Sequence, residues 1–411
     1  MRVHALARRR RPAVRGESAA IVLRGATIVS YDATEARTLA MAHGRVAAEC
    51  GSEARIDLRD HFVFPGLVNA HDHLQLNCIP PLEHAAPFAN SYVWIDGFDA
   101  HRKRADVAAA VQVPSDVRHW HGGLKNILAG VTTVAHHDPW HAVLDDPDFP
   151  VGVLSEFGWS HSLGLGGRLP GEAPKYGPGV YSSFLTTPWS QPWFIHVAEG
   201  IDDVAAGELS RLDELGCLSG NTVIVHGVGL TPRDAKRIAE RQASVVWCPS
   251  SNLGMFGRTL DPGPPFEAGC VALGTDSRLT GSRDLLEELR VAAANCELTN
   301  QELMRLVTAD GADVLRMPSA GGLQVEQTAD CVVLRADGDP HDALLNASRS
   351  TIRAVVRRGA PVIADLDFAE WFTMSGVETV RVTLDGQPKL IDRRVARPDA
   401  VALEPGLELV Q

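Results

Sequence analysis

The chain contains the run Phe62-Val63-Phe64-Pro65-Gly66-Leu67-Val68-Asn69-Ala70-His71-Asp72-His73, an apolar segment that ends in two histidines spaced i, i+2. On a strand that spacing turns both imidazoles to one face, whereas on a helix they diverge. A buried strand that delivers two imidazoles at its C-terminal end is half of a metal site. The bland alternative, two surface histidines in a turn, fits poorly with so long an apolar run and its Pro65-Gly66 pair.

Three further segments have the same form. Trp193-Phe194-Ile195-His196-Val197-Ala198-Glu199 is an apolar run ending in His, with Glu three residues on. Thr222-Val223-Ile224-Val225-His226-Gly227 is a β-branched run ending in His-Gly, and Val271-Ala272-Leu273-Gly274-Thr275-Asp276-Ser277 ends in Asp. Each reads as a buried parallel strand with a polar residue at its C-terminal end. Taken singly, such an end often just marks where a strand meets solvent. Four in one chain point to an active site assembled from strand C-termini, as in a β/α barrel.

The order His-x-His, His-x-x-Glu, His-Gly, Thr-Asp-Ser resembles the amidohydrolase superfamily, and within it the aminohydrolase branch of cytosine, guanine and adenosyl-type deaminases and triazine hydrolases. The resemblance spans nearly the whole chain after the first sixteen residues. It also rests on Gly130-Val131-Thr132-Thr133, Cys248-Pro249-Ser250-Ser251-Asn252 and Ala329-Asp330-Cys331-Val332-Val333-Leu334. It implies an α/β fold, a (β/α)8-type TIM barrel, with a small β-sandwich built from both termini. It does not specify the substrate, because this branch hydrolyses many different C–N and C–Cl bonds.

Composition narrows the class. At 411 residues the chain can bury a large core and should form one big domain plus a smaller one. A net charge of −12 argues against a nucleic-acid surface. Seven cysteines without a Cys-x-x-Cys pair fit a reducing cytoplasm. No stretch approaches a membrane span. Residues 1–16, with Arg8-Arg9-Arg10-Arg11, lack the apolar core of a secretory signal and read as a disordered basic arm. A small-molecule substrate is expected, and a homodimer or other homo-oligomer.

Residues 17–61 and 326–411 read as short strands and turns, the two parts of one β-sandwich, and 62–325 as the hydrolase barrel. Helical spacing covers Asp202 to Leu215, Pro232 to Gln242, Asp284 to Ala294 and Asn300 to Leu315, the last capped by Thr299 or Asn300. From Leu163 to Gln191 the chain is rich in Gly and Pro. Its strand candidate is Val180 to Leu185, so the fourth βα unit should be short or irregular.

The resemblance implies the ligands His71, His73, His196 and Asp276, a set that suits Zn²⁺, with Fe²⁺ the alternative. None of the five lysines ends a credible barrel strand, so one divalent ion per chain is expected rather than a pair bridged by a carboxylated lysine. Such an ion brings the pKa of water towards roughly 7. Asp276 then takes the attacking water's proton, Glu199 protonates the leaving nitrogen, and His226 orients the water or polarises the substrate. The chemistry is deamination of a nitrogen heterocycle or cyclic amidine. The same site could instead hydrolyse a cyclic amide, a substituted ring amine or an aryl halide. A catalytically silent scaffold would be expected to lack some of these polar residues, and none is missing.

Gln75, Trp94, His137, His161, Asn252 and Arg278 are the candidates for contacting substrate. Gln75 matches a substrate-binding position in relatives with a His-x-His-x-Gln run. His137 and His161 lie near the ends of the second and third strands. Arg278 or Arg283 would meet an anionic substituent unless paired with neighbours. Trp94, Trp120, Trp140, Trp159, Trp189 and Trp193 border strand ends and would wall a flat ring, or simply pack the core.

Overall fold

The computed structural model describes residues 20–51, 54–82, 87–167 and 171–410; the basic arm lies outside them. The apolar run divides at Gly66 into two strands of different sheets. His61–Pro65 pairs antiparallel with Cys331–Arg335, Phe64 facing Val332, and parallel with Thr27–Val29. Leu67–Asp72 (β1) pairs instead with Val131–His136 (β2). Gly66 passes so close to β2 that a Cβ there would lie 2.2 Å from Thr132 Oγ1. A side chain would have to displace Thr132, at a cost of about 1–3 kcal/mol.

Strands from both ends of the chain share the nine-stranded sheet that contains His61–Pro65. Its two faces are both buried. Val63, Cys331, Val333 and Val356 pack with Ile21, Leu23 and Val46 of a separate four-stranded sheet. Phe62, Phe64, Val332 and Val355 point the other way into the core of the α/β region. Burial on both faces is why the opening run is continuously apolar rather than alternating.

Among the described residues the α/β region holds eight parallel strands. After β1 and β2 come Gly152–Val153 (β3), Gly158–Ser162 (β4), Trp193–Val197 (β5), Thr222–His226 (β6), Ser244–Trp247 (β7) and Val271–Leu273 (β8). They pair as two arcs, β3-β2-β1 and β4-β5-β6-β7-β8. The arcs meet at a bridge between Asp72 and Asp276, where His73 N–H donates to the Asp276 carbonyl at 2.7 Å and Asp276 N–H to the His71 carbonyl at 3.1 Å. Among the described residues no ladder joins β3 to β4, so the pairing is two linked arcs rather than the expected closed ring.

β3 is only two residues long, too short for a hydrophobic pattern to reveal, so His161 lies near the end of the fourth strand and not the third. Val180–Leu185 is not a strand: Val180–Thr186 is a helix packed against β4, with Val180 fully buried. Two expected helices are interrupted. The first splits at Gly207 into Asp203–Ala206 and Glu208–Glu214. The second breaks between Asn300–Leu306 and Ala309–Val314, where the Val307 carbonyl accepts from Val68 N–H of β1. Thr299 is the N-cap of the former and forms a reciprocal capping box with Glu302. No helix among the described residues is long and apolar enough to cross a membrane.

Candidate active site

The C-terminal ends of β1, β5, β6 and β8 converge. Ligand atoms of His71, His73 and Asp276 lie within 4.8 Å of one another, as do those of His71, His137 and His196. Asp276 Oδ1 is 3.5 Å from Nε2 of both His71 and His73. Its Oδ2 accepts from Ser251 Oγ at 2.7 Å and Thr280 Oγ1 at 2.5 Å. His71 is fully buried, yet among the described residues neither ring nitrogen has a hydrogen-bond partner. An orphaned buried polar group costs about 1–3 kcal/mol. A cation bound among these donors would satisfy it, and the imidazole–carboxylate set suits a divalent metal.

The outer nitrogens fix the tautomers. His73 Nδ1–H donates to Asp138 Oδ2 at 2.6 Å, and His196 Nδ1–H to the His161 carbonyl at 2.8 Å. Each acceptor lacks a proton to give, so Nε2 keeps its lone pair for the centre of the cluster. His226 Nδ1–H donates to Asn252 Oδ1 at 2.9 Å, which leaves Nε2 facing Glu199 Oε1 at 3.5 Å. Ala198, His226 and Asp276 all have left-handed backbone, with φ of 56°, 76° and 59°. Such strain costs of order 1–3 kcal/mol per residue and gathers at functional sites.

The cluster opens into a cavity of about 500 Å³. His73, His196, Glu199, His226 and Asp276 line it, with Gln75, Trp94 and His161 among the sequence candidates. Trp94 stacks on Phe98 with ring centres 5.3 Å apart. Three other candidates do not line the cavity. His137 is buried behind it, stacked on His196 at 4.4 Å, with Nε2–H donating to the Ser160 carbonyl. Asn252 serves His226. Arg278 is turned to Glu404, which takes both its Nη groups at 2.9 and 2.8 Å, and Arg283 pairs with Asp385. Trp120 and Trp193 belong to the core, and Trp189 is exposed.

Two residues escaped the sequence reading. Asp138, two residues past the end of β2, accepts from His73, from Gln75 Nε2 at 2.5 Å and from Tyr176 Oη at 2.6 Å. A carboxylate two residues beyond a strand ending in His136 was a usable signal. Tyr176 lies in the Gly/Pro-rich connection, where no periodicity marks it.

Burial depresses the His71 and His161 pKa values to about 4. At His73 burial works the same way, but the Asp138 and Asp276 carboxylates prevail and lift it to about 9, so Nε2 must release a proton before it can take an ion. Burial raises the Glu199 carboxyl above the ordinary range, against the opposing pull of His226.

Residues 191–388 match the family described as Amidohydrolase family, and the chain carries an amidohydrolase family domain. It is 26% identical over 324 residues to 5'-deoxyadenosine deaminase of Methanothrix thermoacetophila, covering 67% of this chain and 73% of the relative. It is 23% identical over 396 residues to 5-methylthioadenosine/S-adenosylhomocysteine deaminase of Pyrococcus furiosus, covering 82% and 91%. Among solved structures it resembles a zinc-bound adenosine deaminase from Xanthomonas campestris, with TM-score 0.67 and 19% identity over 87% of this chain and 97% of that one. A zinc complex of atrazine chlorohydrolase from Arthrobacter aurescens gives TM-score 0.65 and 20% identity over 86% and 99%.

Proposed function

We propose that the protein deaminates a nitrogen heterocycle or cyclic amidine by hydrolysis, releasing ammonia. That it is a metal-dependent hydrolase of carbon–nitrogen bonds follows from its amidohydrolase domain and deaminase relatives. The observation that carries the specific reading is the Glu199–His226 pair beside the His71, His73 and Asp276 cluster, with Glu199, His226, His73 and Asp276 lining one cavity. His71, His73, His196 and Asp276 would hold one ion, Zn²⁺ before Fe²⁺. Bound there, it supplies the Lewis acidity that makes water a nucleophile at neutral pH.

The chain's own groups do the rest. Asp276 accepts the proton as water adds to the ring carbon. Glu199, kept protonated more readily by its burial, delivers a proton to the departing nitrogen, which leaves as ammonia while the carbon becomes a carbonyl. His226 presents Nε2 to Glu199 and steers that carboxyl. Trp94 and Phe98 offer a flat apolar wall to the ring.

We read the two arcs as a (β/α)8 barrel with an open seam at β3–β4, spanning 66–325, and the sheets at both ends of the chain as its β-sandwich. The break at Gly66 supports that boundary. Seven free cysteines fit a reducing cytoplasm. The test is a screen of amino-purines, amino-pyrimidines, triazines and cyclic amidines for stoichiometric ammonia. Substrate loss without ammonia would move the assignment to a cyclic amide, substituted amine or halide.

A further inference from the structure

The loop that follows β8 carries Asp276, and it is gripped from the far end of the chain. Glu404 lies just past the helix Pro398–Val401, and its side chain has no exposure. Its carboxylate accepts from both Nη groups of Arg278 at 2.9 and 2.8 Å, from His121 Nε2 at 2.9 Å and from Arg349 Nη1. Burial pulls this carboxyl up, but the bonds from His121 and Arg278 prevail and hold it below the ordinary range. Arg283, at the other end of the loop, donates to the Pro405 carbonyl at 2.9 Å. Arg278 Nε closes the loop by donating to the Arg283 carbonyl at 2.7 Å.

Anchoring the C-terminal segment does not require Arg278. Arg349 already ties Glu404 and the Pro405 carbonyl to Asp385, with bonds of 3.0 and 2.8 Å to that carboxylate. Arg278 adds a hold on the loop two residues beyond Asp276. Its N–H donates to Asn77 Oδ1 at 3.1 Å, and Asn77 Nδ2 donates to Asp72 Oδ1 at 2.8 Å. Arg278 is thus fixed at both main chain and side chain. Thr280, next but one along the loop, donates its hydroxyl to Asp276 Oδ2 at 2.5 Å, while Oδ1 faces His71 and His73. The left-handed backbone of Asp276, with φ 59°, persists only where its surroundings over-determine it. We infer that Glu404 is a positioning residue for the site: through Arg278 it holds the Asp276 loop so that Oδ1 is presented to the ion. The ion rests on the proposed function; the hold on the loop does not.

The experiment removes each arginine from Glu404 in turn, in the full-length protein. Arg278→Met cuts the tie to the loop; Arg349→Met costs Glu404 a partner but leaves that tie. Glutamine versions of both report if a methionine version fails to fold. Two readouts are taken: hydrogen exchange of the peptide 274–283, and Zn²⁺ affinity by competition with a chromophoric chelator. Arg278→Met and Glu404→Gln should speed exchange in that peptide by about 10-fold or more, with the other strand peptides unchanged. They should weaken Zn²⁺ binding by about 10- to 100-fold, as loss of a group that orients a ligand does. Arg349→Met should lower the urea midpoint and leave both readouts near wild type. If Arg349→Met changes them as much as Arg278→Met, the cluster serves stability alone and the proposal fails. It fails too if Arg278→Met leaves exchange unchanged, or loosens the loop without weakening Zn²⁺. A wild type that binds no Zn²⁺ sinks the ligand reading instead, and exchange alone then decides whether Glu404 holds the loop.

Discussion

The Lys125 ammonium sits 3.1 Å from Asp72 Oδ2, and neither side chain has any exposure. Asp72 points away from His71 and His73, as strand alternation requires, and also accepts from Asn77 and Asn126 at 2.8 Å. The pair therefore anchors the residue between the two histidines to the helix behind the sheet. Removing one partner of a buried pair strands the other, at about 3–5 kcal/mol. Lys125→Met should lose that much in urea unfolding, and Asp72→Asn in the same chain should restore part of it. An undiminished midpoint for Lys125→Met would show that the pair does not hold the strand end.

Metal content checks the ligand set. Protein purified without chelators should carry close to one equivalent of Zn²⁺ or Fe²⁺, and His73→Ala should lose most of it. Two equivalents, or a carboxylated Lys125, would overturn the single-ion reading.

Glu199→Gln should separate catalysis from binding. The amide is nearly isosteric but cannot carry a titrating proton, so fold and metal content should persist while turnover falls about 10²–10⁴-fold. Asp276→Asn should lower turnover and metal affinity together. Loss of metal from Glu199→Gln would make Glu199 a ligand; wild-type turnover would falsify its role in proton transfer.

Glu288 gives a pH prediction outside the cluster. It is fully buried, accepts from Ser250 N–H at 2.8 Å and from the Ser282 hydroxyl, and burial lifts its pKa from 4.5 to about 7. The folded state thus holds this proton more tightly than the unfolded chain. Its contribution to stability is fully present below about pH 4.5 and is lost as pH rises through about 7, on the order of 3 kcal/mol in all. Glu288→Gln should flatten that part of the stability–pH curve. An unchanged slope between pH 5 and 8 would refute the assignment.

The strand ends carrying His71, His73, His196, His226 and Asp276 were legible because each buried run is local and stops at a polar residue. The split of the opening run was not, because Phe64 and Leu67 are equally apolar and only the close approach of Thr132 to Gly66 separates them. Arg278 misled because its partner, Glu404, is distant in sequence. The Val180 helix failed for a different reason: seven residues hold too few turns for helical and strand periodicity to be told apart.

The register of Phe64 on Val332 has a consequence for the order of events during synthesis. His71 and His73 emerge early, and the strand that leads into them can pair at once with Thr27–Val29, but its antiparallel partner comes only after residue 332 has left the ribosome. Closing so long a loop is entropically slow, and non-local pairings of this kind delay folding. A nascent or truncated chain ending near residue 325 would possess every residue assigned to the ion and still lack one of the two neighbours of the strand that leads into them.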